Sequence, residues 1–117
     1  MTDEEMAEAR ATTFTEIFRL KKMLEDAKIP FRFSENFHGG FHIVYSFEGK
    51  EICSVIEHDF SYGREKDLLE IQGLMTEQEM KEEQDSVLGY LTAANVFERI
   101  KMHWTSSNVK ENTVVDR

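Results

Sequence analysis

The sequence predicts an α+β domain: an N-terminal helix, a three-stranded antiparallel meander, then two or three C-terminal helices packed on one sheet face. Three observations carry this expectation. Apolar residues recur at helical spacing before Pro30, alternate at every second position from Phe31 to Ile56, and return to helical spacing after Asp67. The chain has 117 residues, 40% of them hydrophobic, which suits one domain closing one core. Nine Phe against one Trp and three Tyr point to a Phe-rich core.

Thr2-x-x-Glu5 and Thr13-x-x-Glu16 are capping-box patterns, in which a hydroxyl and a carboxylate satisfy the first free amides of a helix. Phe14, Ile17, Phe18, Leu20 and Leu24 then form one apolar stripe, with Arg19, Lys21, Lys22, Glu25 and Asp26 on the other face. Pro30 should end this helix, because the residue before a proline is pushed out of the α region. Phe31 and Phe33, then Phe41, Ile43, Tyr45 and Phe47, then Ile52, Ser54 and Ile56 mark three strands. Gly39-Gly40 and Glu48-Gly49-Lys50 are too short for parallel crossovers, so the strands should form hairpins.

Beyond a polar-aromatic loop over 58–63, Leu68, Leu69, Ile71, Leu74 and Met75 read as a short helix over 67–75, weakest at Gly73. Thr76-x-x-Glu79 is a further capping box opening a charged helix, broken near Gly89. Thr92 is a good N-cap for a last helix with Val96, Phe97, Ile100 and Trp104 on one face. The residues from Thr105 onward are polar and aperiodic. A single domain is therefore expected over 1–104, with a flexible polar tail over 105–117.

The net charge of −9 disfavours direct binding to nucleic acid or to an anionic membrane, both of which call for Lys and Arg. A basic protein surface is the matching partner. The lone Cys53 excludes an intramolecular disulfide and, among Ile52, Val55 and Ile56, reads as a buried thiol. No apolar run approaches a membrane span, and the acidic N-terminus has the wrong charge for a secretory leader, so a cytoplasmic location is expected.

No chemistry-bearing motif is complete. His38-x-x-x-His42 has metal-ligand spacing only on a helix, and Gly39-Gly40 argues against one; in a hairpin the pair, with Cys53 on the next strand, could still meet. His58, Asp59 and Ser61 lack a Gly-x-Ser-x-Gly elbow and an oxyanion hole. No catalytic residue, metal site or cofactor is assigned. The best binding segment is the loop holding Tyr62 and Arg64, residue types favoured at interfaces. Beside it in sequence, residues 64–85 hold eight acids against three bases, a net of −5. Glu77, Glu79, Glu82, Glu83 and Asp85 of that block form either a solvated helix face or a surface imitating a phosphate backbone.

Phe60-Ser61-Tyr62-Gly63, the run 67–74, the run 85–93, Val96-Phe97-Glu98-Arg99-Ile100 and His103-Trp104 together resemble short uncharacterised proteins of phages and prophages of Gram-positive bacteria. The resemblance covers residues 60–104. It implies a small accessory protein acting inside a bacterial host and carries over no catalytic residue. The expected function is a non-enzymatic module that binds a macromolecule, in its most specific form an acidic, anti-CRISPR-like inhibitor of a host defence nuclease. Two other classes stay open: a small-ligand protein or enzyme using the His58–Arg64 loop, and a structural or self-assembling phage protein, including a homodimer.

Overall fold

The computed structural model describes residues 13–83 and 86–115, with side chains up to Val109. The Thr2 capping box and Asp85 lie outside the described residues. Helix α1 runs Thr15–Asp26 and buries Ile17, Leu20 and Leu24 of the expected stripe, while Phe18 of that stripe stays 44% exposed. It ends before Pro30 acts. Lys28 takes a left-handed φ of 59°, its amide reaches Glu25 O at 3.1 Å, and the Ile29 amide reaches Leu24 O at 3.0 Å. That paired return is a Schellman closure, sealed by the buried Ile29.

Strands β1 (Arg32–Phe37), β2 (Gly40–Phe47) and β3 (Lys50–Glu57) form the expected antiparallel meander. Both hairpins close through two residues of positive φ, His38-Gly39 and Glu48-Gly49, the geometry that matches the twist of paired strands. The sheet does not stop there. Strands β4 (Leu69–Gln72) and β5 (Val87–Leu91) extend it to five antiparallel strands in sequence order. The three-stranded sheet followed by helices is thus corrected to a five-stranded sheet interleaved with helices.

The physical reason lies at the flanks of β4. Asp67 sits in the left-handed region at φ 55° and Gly73 at φ 101°, so no helix can run through 67–75. A side chain at Gly73 would meet Ile52 O at 2.1 Å, so close approach of β3 also requires glycine there. Between these stops, Leu69 and Ile71 point to the core while Glu70 and Gln72 point away. In β5 the expected break at Gly89 is a bulge, with the register shifting between Leu69 and Ile71 of the facing strand.

Helix α2 (Glu77–Glu83) starts at the expected capping box: the Glu79 amide donates to Thr76 Oγ1 at 3.1 Å and the Thr76 amide to Glu79 Oε1 at 2.9 Å. Helix α3 (Ala93–Val115) starts at Thr92, whose Oγ1 accepts the Asn95 amide at 3.2 Å, and continues past Trp104 to Val115. Helices α1 and α3 pack together on one face of the sheet. The core joins Ile17, Leu20 and Leu24 to Ile43, Tyr45, Val55, Leu69 and Ile71, and to Ala93, Val96 and Ile100. Its fully buried centre is aliphatic with one Tyr rather than Phe-rich. Four of the nine Phe instead form a ring cluster at one end of α1, with Phe41 4.9 Å from Phe14 and 4.8 Å from Phe18, and Phe33 5.7 Å from Phe41. No described helix is long and apolar enough to cross a membrane.

Candidate functional site

The loop after β3 is built from its own side chains. Ser61 Oγ donates to His58 O at 2.9 Å and accepts the His58 amide at 3.0 Å. The Phe60 amide donates to His58 Nδ1 at 3.0 Å. These bonds occupy the hydroxyl and one ring nitrogen in holding the turn, so Ser61 is not aligned on the imidazole as a nucleophile would be. Asp59 lies against Gly39, and its amide donates to His38 O at 3.1 Å, which ties the loop to the β1–β2 hairpin.

Arg64 leaves this loop inward. Its Nη1 donates to Glu57 Oε2 at 2.7 Å, and its guanidinium lies 3.8 Å from the centre of the Phe14 ring. It is therefore a packing cation and not a surface contact. Glu57 is fully buried, and burial with the nearby Asp67 carboxylate pushes its pKa up to about 8, against the pull of Arg64. Its Oε1 is buried and makes no hydrogen bond among the described residues, while the nearby Asp67 carboxyl adds to burial in raising the Glu57 pKa. Asp67 in turn accepts the Thr13 hydroxyl at 3.0 Å, the Thr15 amide at 3.0 Å and the Glu16 amide at 3.4 Å. Burial opposes the Asp67 charge, but the influence of Glu57 and the bonds from Thr15, Glu16 and Thr13 outweigh it and hold the carboxyl below its ordinary value. The Thr13 capping box is replaced by this distant cap. Glu16 is freed to cap another helix: its Oε1 accepts the Ala93 amide at 2.8 Å, at the start of α3.

The acids of α2 divide. Glu79 faces inward and grips Arg99 through two bonds, Nη1 to Oε1 at 2.8 Å and Nη2 to Oε2 at 2.6 Å. The fork from Arg99, together with the Thr76 bonds, holds its pKa down to about 2. Arg99 also donates to Leu74 O at 3.0 Å, so Glu79 and Arg99 staple α2 to α3 and to the end of β4. Glu77, Glu82 and Glu83 are exposed.

Tyr62 is 56% exposed and Tyr90, on β5, is 50% exposed. The two meet across Gly89, where a side chain would come 2.3 Å from Tyr62 Cβ, and the Tyr90 amide donates to Tyr62 O at 3.3 Å. Tyr62, Tyr90, Gly89, Val87 and Glu83 line one notch of about 210 Å³. Tyr90 Oη donates to Glu65 Oε1 at 2.5 Å on the same side. Of the residues the sequence singles out, the fold therefore brings Tyr62 and Glu83 together, sets Glu77 and Glu82 on the adjoining exposed helix, and withdraws Arg64 and Glu79 into ion pairs. Tyr90 is the residue that sequence reading misses; its signal is an aromatic next to Gly89 in a run too short for a helix.

Cys53 and His42 lie on opposite faces of the sheet, since Cys53 pairs with core-facing Tyr45 while His42 is one step along the alternation. They share no ligand geometry. The Cys53 thiol is fully buried, and burial pushes its pKa up to about 12, an unreactive thiol. Among the described residues no group of three His, Cys, Asp or Glu is placed to hold a metal ion. No protein-family model, curated protein or solved structure matches this chain.

Proposed function

We propose that the chain is a non-enzymatic binding module that takes a basic surface of a protein partner on the Tyr62–Tyr90 notch and the exposed face of α2. The observation that carries this reading is the notch itself. Two exposed aromatic rings flank a carboxylate at the end of an acidic helix, a combination that suits a Lys or Arg side chain through charge and ring-face attraction. The net charge of −9 steers a cationic partner and repels nucleic acid.

The likeness of residues 60–104 to short phage and prophage proteins supports a setting in the cytoplasm of a bacterial host. The most specific form of the proposal is inhibition of a host nucleic-acid-binding protein such as a defence nuclease. Glu77, Glu82 and Glu83 would then occupy places shaped for phosphates. Capture from bacterial lysate over a salt titration tests it. The expected result is a basic protein whose retention falls steeply with salt and is lost in a Glu77→Lys, Glu82→Lys, Glu83→Lys variant and reduced by Tyr62→Ala. A partner held equally well by the charge-reversed variant at every salt concentration would overturn the reading.

A further inference from the structure

Among the described residues, the sheet face away from α1 and α3 carries no helix. By alternation from the core residues of β2, β3 and β4, it presents His42, Ser54, Ile56 and Gln72. The β1–β2 hairpin and the loop after β3 close over one end of this face and leave a cleft of about 420 Å³.

Its walls are aromatic. Phe37 stacks on His42 at 4.6 Å with the rings 25° apart and lies 5.5 Å from His58, while Phe60, 79% exposed, stands at the rim 6.2 Å from His58. Its polar groups are few and directional. His58 is only 7% exposed, and because Nδ1 accepts the Phe60 amide, the neutral ring carries its proton on Nε2. That N–H has no hydrogen-bond partner among the described residues and keeps accessible surface, so it is free to donate to a ligand. The Gln72 amide is likewise without a partner there and offers a donor and an acceptor side by side. His42 Nε2 and Ser54 Oγ are already joined at 2.7 Å and form a fixed polar wall. Burial lowers the pKa of both His42 and His58, which keeps these two rings neutral near neutral pH, and His38, 5.3 Å from His58, completes the lining.

We propose that this cleft binds an uncharged planar heteroaromatic ring of the nucleobase type, as a small molecule. Ring faces would be met by Phe37 and Phe60. A ring acceptor would take the His58 Nε2–H, and a donor–acceptor edge would pair with the Gln72 amide, the means by which proteins hold unstacked bases. The chain's charge of −9 and the neutral rings of His42 and His58 disfavour a phosphate, which selects a free base or nucleoside over a strand. The cleft shares no residue with the Tyr62–Tyr90 notch, so this site and the protein-binding reading stand or fall separately.

Amide and imidazole NMR of the full chain, titrated with adenosine and with uridine, tests the proposal. Ribose, benzyl alcohol and a short single-stranded oligonucleotide serve as controls. The expected result is saturable shifts at His42, His58, Phe60 and Gln72 with at least one nucleoside and none with ribose. Benzyl alcohol, which has a ring but no pairing edge, should bind about tenfold more weakly, and Gln72→Ala should weaken the nucleoside by about fivefold. Gln72 is exposed, so that variant keeps the fold. Absence of shifts at millimolar nucleoside, equal binding of benzyl alcohol, an unaffected Gln72→Ala variant, or tighter binding of the oligonucleotide than of either nucleoside would each overturn the proposal.

Discussion

The acids around Arg64 and the acids of α2 are neighbours in sequence and opposites in environment. Glu57 and Asp67, joined by Glu16 from α1, are buried or half-buried and hold helix ends and a buried cation, whereas Glu77, Glu82 and Glu83 stand in solvent, where Glu82 does no more than accept Gln78 Nε2 at 2.9 Å. The contrast teaches that formal charge is not one property of this chain. The same kind of side chain costs stability in one region when removed and alters only long-range attraction in the other.

The largest effect that would sharpen the contrast is a pH dependence carried by Glu57. Its folded pKa of about 8 stands above the ordinary value of 4.5, so between them the folded chain holds a proton that the unfolded chain has released. Stability from this group is complete below the ordinary value and is lost as pH rises through about 8. The groups facing it are Arg64, which favours its charge, and Asp67, which opposes it; the backbone of Ile17 adds a bond that also favours charge. Denaturant midpoints should therefore decline from mildly acid to mildly alkaline pH, by on the order of a few kcal/mol in unfolding free energy. Glu57→Gln, which keeps a donor toward Asp67 and an acceptor toward Arg64, should flatten that slope. A slope unchanged in the variant would place the titration elsewhere.

Arg64→Ala comes next. It removes the cation bonded to Glu57 and the plane lying over Phe14, and a loss of about 3 kcal/mol is expected by chemical denaturation. Glu16→Ala uncaps the buried start of α3, with an expected loss of about 2 kcal/mol and faster amide exchange at Ala93 as the local readout. The smallest stability effect belongs to the reversal of Glu77, Glu82 and Glu83 together, which should stay within about 0.5 kcal/mol of the parent chain. A large loss of stability there would break the comparison, because α2 would then owe its position to those side chains.

Local patterns were legible where an element is long or carries its own cap. The stripe of α1, the alternation from Phe41 to Phe47, the Thr76 box and the Thr92 cap all lie within one element and repeat its period. Strand β4 was not legible because its four residues, following Leu68, supply as many helical as alternating matches, and only the left-handed Asp67 and Gly73 decide between them. Asp67 at the start of α1 and Glu16 at the start of α3 bridge more than fifty residues, so no local reading of Thr13-x-x-Glu16 could reveal that Asp67 caps this helix while Glu16 serves another. At the candidate site, Tyr62 and Glu83 were legible as residue types, but their meeting with Tyr90 depends on β5, which sequence reading did not find.

The bulge in β5 bears on how copies of this chain could associate. Sheets with straight, open edges recruit further strands through their free amides and carbonyls. Here the β5 edge is interrupted by Gly89 and by Tyr90 at φ 61°, and the Tyr62 carbonyl already accepts the Tyr90 amide. At the other margin, β1 loses register between Ser34 and Phe37, with Asn36 between them at φ 57°. Both borders of the sheet are thus poor templates for fibre growth, and a self-assembled form would have to be made by apposing faces instead of by adding strands.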